Sequence, residues 1–253
     1  MNERTMSNRF PRKVSGCAQK TSVGCLIALV GKGKDMSVCV AEAPSTKSPE
    51  VLIKSKRRVK EHGEVFTPRY MVDQMLDLVS YELESGPGFV DKTFLEPAAG
   101  DGNFLVRILQ RKLKAIEKTY KPEDWTVESL FALASIYGIE LLEDNHKDAQ
   151  EWLLSEFCLF HQSHGTTCNW RTNLYRSAKY IISVNILQGN TLTGMRADGD
   201  PIVFSWWNRV PDSPGIVQRE PFSLESLQSE SLFDLMDYDS YKPCPIDQVH
   251  KEE

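Results

Sequence analysis

The chain has 253 residues, 41% of them apolar and 26% charged, with a net charge of −5. That is enough chain for one α/β domain with modest extensions, and the composition is ordinary for a globular protein. No apolar run approaches the roughly 18 residues of a membrane helix, so a membrane-embedded protein is not expected. The longest such run near the start, Val23 to Val30, reads poorly as a secretory signal because Lys32, Lys34 and Asp35 follow at once. The 6 cysteines have no framework spacing, which points to reduced thiols and a cytoplasmic location.

The charge is unevenly spread. Residues 1–60 carry 13 Lys and Arg against 4 Asp and Glu, and the remainder carries 17 against 31. A basic arm on an acidic body suits an anionic partner for the arm, although a solvated, disordered leader is the simpler reading. Residues 1–50 lack sustained periodicity and are rich in Ser, Gly, Lys and Pro, so they are expected to be a mostly disordered leader. Met36 is a candidate true start of translation.

From Lys56 the texture changes. Met71, Met75, Leu78 and Val79 recur at helical spacing after Pro68. Gly86-Pro87-Gly88 breaks that helix. A strand is expected over Phe89–Leu95, then a glycine-bearing loop to Asn103, then a helix with Phe104, Leu105, Ile108, Leu109, Leu113 and Ile116 on one face. A helix over Val127–Ala134, a strand over Ile136–Leu141, a helix from Asp144 to about Phe157 and a strand over Tyr180–Leu187 complete the series. Strands alternating with helices imply a parallel-rich sheet with helices on both faces. The division expected is a leader at 1–50, a core at 56–210 and an extension at 211–253 ending in an acidic tail.

The most informative stretch runs from Phe94 to Leu105, Phe-Leu-Glu-Pro-Ala-Ala-Gly-Asp-Gly-Asn-Phe-Leu. It sets a Gly-rich turn between a strand and a helix, the place where doubly wound folds hold nucleotide-like ligands. Gly100 and Gly102 permit close backbone approach, and the helix N-terminus beyond favours a negative ligand group. Glu140 ends the next strand, where a carboxylate can accept two hydrogen bonds from a ribose diol. It lies 40 residues beyond Gly100, and the helical segment around Leu130 explains why that exceeds the usual interval of about 20.

Together these residues resemble the adenine-N6 DNA methyltransferases of restriction–modification systems. Gly63-Glu64-Val65-Phe66-Thr67-Pro68 is similar to the family's N-terminal motif, Leu95 to Leu105 to its first core motif, and Gln188-Gly189-Asn190-Thr191-Leu192 to the segment after the third strand. The resemblance runs from about Lys60 to Leu192. It implies a Rossmann-like core that binds S-adenosyl-L-methionine. By the same resemblance Thr67 meets the amino-acid part of the cofactor, and Glu96, Pro97, Ala98, Gly100 and Gly102 form the loop beside its methionine side. Glu140 holds the ribose and Asn190 faces the adenine.

The family's catalytic tetrapeptide, Asn, Asp or Ser followed by Pro-Pro and an aromatic residue, is not visible. Asp200-Pro201 is the nearest match, and its plainer reading is a turn leading into a strand at Ile202–Phe204. Trp206 and Trp207 read as a cap on the core or as a platform for a base. About 43 residues follow Val210, too few for a substantial DNA-reading module, so DNA recognition is expected to involve a partner chain or the basic arm. The functional expectation is a DNA adenine-N6 methyltransferase or modification subunit. The alternative is a cofactor-binding but inactive relative or fragment that needs a partner. Cys158, His161, His164 and Cys168 have ligand types that suit zinc, but as an expected single-loop cluster their spacing is tight, and no metal site is assigned.

Overall fold

The computed structural model describes residues 52–227 and 240–251, together with the backbone of two short strands, β1 (Ile27–Val30) and β2 (Val38–Cys39). Met36, the rest of the expected leader and the Ser/Asp-rich part of the tail lie outside the described residues. The two strands correct the picture of 1–50 as leader throughout. Ile27-Ala-Leu-Val30 is rich in strand formers and pairs antiparallel with the edge of the main sheet.

Helix α1 (Lys56–His62) begins where the Ser55 hydroxyl accepts the Arg58 N–H at 3.2 Å and ends at Gly63, whose φ is 67°. Helix α2 (Arg69–Asp77) starts behind Pro68 and buries Val72 and Leu76. Strand β3 (Thr93–Glu96) is shorter than expected, because Phe89–Asp91 after the Gly86-Pro87-Gly88 break form a 3₁₀ turn. Helix α3 (Asn103–Thr119) buries the predicted stripe from Phe104 to Ile116. Helix α4 (Trp125–Ala134) leads into β4 (Ile136–Glu140), every residue of which is buried, as suits the central strand of a covered parallel sheet. Helix α5 (Glu143–Ser163) is about two turns longer than its apolar pattern suggests.

The expected strand over Tyr180–Leu187 is mostly helix. Helix α6 (Asn173–Asn185) is capped by the Thr172 hydroxyl, and only Ile186–Gln188 extend as β5. An apolar run of this length fits either state. Here Leu174, Ala178, Ile181, Ile182 and Asn185 all face inward at helical spacing, so packing of the whole face decides it.

The sheet order is β2-β1-β3-β4-β5, with β3, β4 and β5 parallel and the two N-terminal strands antiparallel. Among the described residues, helices cover one face only. Phe94, Ile136 and Ile186 point into the helical core, while Leu95, Tyr137, Ile139 and Leu187 alternate onto the other face. That second face meets a hairpin, β6 (Val203–Arg209) and β7 (Ile216–Ser223), through Phe204 and Phe222. The expectation of helices on both faces is therefore corrected: aromatic strands supply the apolar cover that crossover helices were expected to supply. Trp206 stacks on Phe222 at 4.2 Å, and the Trp207 indole donates to Asn185 Oδ1 at 3.0 Å, so both tryptophans serve packing.

The hairpin straddles the expected boundary at residue 210 with an unbroken register from Val203↔Ser223 to Arg209↔Val217. Strand β8 (Cys244–Pro245) joins β7, and Ile246 and Val249 of the closing 3₁₀ helix enter the helical core. The described residues of 211–253 thus pack with the body. Among the described residues no helix is long and apolar enough to cross a membrane.

Candidate cofactor pocket

Because β3, β4 and β5 run parallel, the loops that follow them leave the sheet at the same edge. The three segments are Pro97–Gly102, Leu141–Leu142 and Gly189–Leu192. They are joined by backbone bonds: Ala99 N–H donates to the Ile139 carbonyl at 2.9 Å, and Gly189 N–H to the Glu140 carbonyl at 3.0 Å. The chain from His62 to Thr67, between α1 and α2, crosses this edge as a strap. Together they enclose a cavity of about 380 Å³, a size common for small-molecule sites.

The two loop glycines do different work. Gly100 has φ 57°, and a Cβ on it would stand 3.2 Å from the Phe66 ring of the strap. Gly102 has φ 93°, and a Cβ there would meet the Ala149 Cα of α5 at 2.9 Å. Gly100 therefore shapes the cavity, and Gly102 allows α3 to start against α5. Gly102 does not line the cavity. Neither does Glu96, which is buried beneath the loop with Oε1 accepting the Ala98 N–H at 3.1 Å; it props the loop from behind. Thr67, Pro97, Ala98, Gly100, Glu140 and Asn190 all line it.

Glu140 is the centre of the site. One oxygen accepts the Gly100 N–H at 2.8 Å and the other the Leu142 N–H at 2.9 Å. Burial raises its pKa above the usual carboxylate range, and the two backbone donors pull it back down. Asn190 faces the cavity from a tight turn. Its Oδ1 accepts the Leu192 N–H at 2.9 Å, which leaves its amide hydrogens as its outward chemistry. Thr191 ties this loop to the first one, its hydroxyl donating to the Pro97 carbonyl at 2.5 Å.

Three further lining residues carry polar chemistry beyond the roles that the motifs imply. Asp101 and Asn145 each present a buried Oδ1 without a hydrogen-bond partner among the described residues. Burial raises the Asp101 pKa as well. Glu64 of the strap is held by Arg58 at 2.5 Å and by the Asn145 amide at 2.6 Å. Asp101 was visible within the Gly-rich loop as a carboxylate flanked by glycines. The meeting of Glu64 with Asn145, 81 residues apart, leaves no local signature. Val65, Leu141 and Leu192 add exposed apolar surface at the cavity.

Asp200 and Pro201 are not among the cavity-lining residues. The Asp200 carbonyl accepts the Arg196 N–H at 2.8 Å, and Pro201 bridges to Met195 ahead of β6, the turn-into-strand arrangement. The Cys/His set is not one loop: Cys158 and His161 lie on α5, His164 ends it, and Cys168 follows. His161 is buried against the Ser129 hydroxyl at 2.9 Å, His164 reaches Glu117, and the Cys158 and Cys168 sulfurs lie 3.3 Å apart. Comparison with protein-family models, curated proteins and solved structures found no match for this chain.

Proposed function

We propose that this chain binds S-adenosyl-L-methionine in the cavity at the carboxyl edge of β3–β5, and that it is the cofactor-binding part of a DNA adenine-N6 methyltransferase or modification subunit. One observation carries the cofactor: among the described residues the cavity is lined by the carboxylates of Glu64, Asp101 and Glu140 and by no Lys or Arg. Among the described residues only Glu64 has an ion-pair partner there, Arg58. Such a cavity repels phosphates and attracts a cation. That argues against nucleoside phosphates and dinucleotides, which share the Gly-rich turn of Rossmann-like folds. S-adenosyl-L-methionine brings a sulfonium and an ammonium against one carboxylate, an apolar-faced adenine and a ribose diol. The donor set fits: Glu140 for the diol, the orphaned Asp101 and Asn145 oxygens for N–H or O–H donors, and Asn190, Leu141 and Leu192 for the adenine.

When bound, the cofactor supplies an electrophilic methyl group. The chain's own residues position and enclose it: Gly100 admits it close to the backbone, Phe66 and Thr67 cover it, and the strap limits water. The acceptor side is different. An adenine amine must have its lone pair localised by hydrogen-bond acceptors, on a base taken out of the stack. Asp200-Pro201 stands outside the cavity, which favours the reading that a partner chain or further sequence supplies those groups, along with most DNA contacts. DNA is the proposed substrate on the motif resemblance, and a cytoplasmic setting follows from that role.

Calorimetry on the full chain tests the first step. S-adenosyl-L-methionine should bind, the uncharged-sulfur product should bind less tightly, and ATP and NAD should not bind. Binding of the phosphates with none of S-adenosyl-L-methionine would overturn the proposal. Methyl transfer to DNA should be near background for the chain alone and rise with the partner chain that carries the missing motif.

A further inference from the structure

The strap and the ribose-accepting carboxylate share one side chain. Asn145, in the first turn of α5 and only 1% exposed, has two amide hydrogens and one carbonyl oxygen. Its Nδ2 lies 2.6 Å from Glu64 Oε1 on the strap and 3.5 Å from Glu140 Oε1 at the end of β4. Its Oδ1 is buried, faces no partner among the described residues and belongs to a residue lining the cavity. Two donors on one nitrogen match two carboxylates on different elements, and the remaining acceptor is left for whatever occupies the cavity.

We propose that Asn145 is the positioning residue that clasps the strap to Glu140, so that closing the strap and filling the ribose end of the cavity are one event. The ligand side of this statement rests on the cofactor reading above; the clasp itself does not. Without Asn145, Glu64 and Glu140 would face each other as two carboxylates with no shared donor, and the strap would lose its inner anchor. The chain ahead of the strap is anchored to α5 from outside, by Arg58 to Asp144, also at 2.5 Å, and by Lys54 to Asp148 at 2.7 Å. These are partly exposed, and exposed pairs hold weakly. The Phe66 N–H donates to the Leu52 carbonyl at 2.8 Å and reports on the closed strap. A bound molecule that donates to Asn145 Oδ1 polarises the amide and strengthens both of its N–H bonds, which is how occupation of the cavity tightens the strap.

The test is amide hydrogen exchange on the full chain, with and without S-adenosyl-L-methionine, in wild type, Asn145→Ala, Glu64→Ala and the double variant. In the unliganded protein, exchange across residues 63–67 should be roughly tenfold faster in Asn145→Ala, the loss of about one net hydrogen bond, with the amides of α3 unchanged. Cofactor affinity should fall by about the same factor, and the ligand's protection of the strap should vanish. The double variant should be no worse than Glu64→Ala alone, since that substitution already removes the carboxylate that Asn145 holds. Equal strap exchange in wild type and Asn145→Ala would overturn the clasp. So would undiminished ligand protection in the variant. Should Asn145→Ala not fold, Glu64→Ala reads the clasp from the strap side, and unchanged strap exchange there overturns it. Wild-type protein that fails to bind S-adenosyl-L-methionine would remove the cofactor reading, while the unliganded exchange still decides the clasp.

Discussion

The two ends of the parallel strands treat their buried charged groups differently. At the amino ends of β3 and β4 sits Lys112, fully buried on α3. Its ammonium donates to the carbonyls of Phe89, Val90 and Lys92 and reaches the Ser135 hydroxyl, at 3.0, 2.9, 2.7 and 2.6 Å. Burial pushes its pKa down to about 7. The carbonyl ring opposes this, because only the protonated amine has three hydrogens to give. At the carboxyl ends, Asp101 and Asn145 keep buried acceptors unpartnered among the described residues at one cavity. The Lys112 cluster is finished by the protein itself and serves the fold, although Thr93 Oγ1 at the same end is buried without a partner among the described residues. The carboxyl end is left incomplete, and buried acceptors without partners are costly unless something else completes them.

The largest expected effect breaks the Lys112 cluster. Lys112→Met keeps much of the side-chain shape but strands three carbonyls, so it should destabilise the fold by about 3–5 kcal/mol. Chemical denaturation measures this. Loss below about 1 kcal/mol would mean that the carbonyl ring is solvated in some other way. Cofactor affinity of the fraction that remains folded should be unchanged, since Lys112 is remote from the cavity lining.

Breaking the open end should do the reverse. Glu140→Ala should cost about 1.5–3 kcal/mol of cofactor binding, roughly 10- to 150-fold in affinity. Folding stability should fall less than binding, or even rise, because burial already disfavours the Glu140 charge. The pH dependence has a definite sign. Burial raises the pKa of both Asp101 and Glu140. A cationic ligand needs them ionised, so affinity should rise with pH through these elevated values and level off once both are charged. Calorimetry between pH 4.5 and 8 checks this, in about half-unit steps. A flat profile would mean that the ligand's positive groups sit away from both carboxylates.

The sequence made one end of this comparison far more legible than the other. Residues from Leu95 to Leu105 announce the open end because a Gly-rich turn must be contiguous to work. Glu140 was readable because a strand end has a fixed relation to the loop before it. The helix α6 was misread because Tyr180 to Leu187 alone fits two states, and only the face shared with Leu174 and Ala178 separates them. The hairpin over the second sheet face was missed for a related reason: Phe204 and Phe222 acquire meaning only once Leu95, Tyr137 and Ile139 are known to need cover. Lys112 looked like an ordinary helix lysine among Leu109, Leu113 and Ile116, and the Glu64–Asn145 contact is wholly tertiary.

A medium effect sharpens the comparison within one loop. Gly102→Ala places a Cβ 2.9 Å from backbone of α5 at a φ of 93°. It should destabilise the fold by about 1–3 kcal/mol. Gly100→Ala meets only the Phe66 ring, at 3.2 Å, and that ring belongs to the strap. Its thermal unfolding should shift less than that of Gly102→Ala, and its cofactor affinity should fall more. The opposite ranking would assign the strap to the structural core.

The smallest effect is expected at Asp200, and it decides where the chemistry lies. Asp200 is exposed, and its bonds are made by the backbone: its carbonyl accepts from Arg196, and its N–H donates to Asp198 Oδ1 at 3.1 Å. Neither bond uses the side chain, so Asp200→Ala should change stability by under about 0.5 kcal/mol. Cofactor affinity should change less than about twofold. Activity is the sharper measure. Acceptors that localise an amine lone pair act in the transition state, where each well-placed hydrogen bond is commonly worth about two to three powers of ten in rate. A side chain outside the cavity can contribute nothing of that size to a methyl group held inside it. Methyl transfer measured with the partner chain present should therefore be the same for Asp200→Ala and wild type. A hundredfold loss in the variant would show that the turn before β6 swings to the cavity when DNA is bound, and that Asp200-Pro201 carries the acceptor after all.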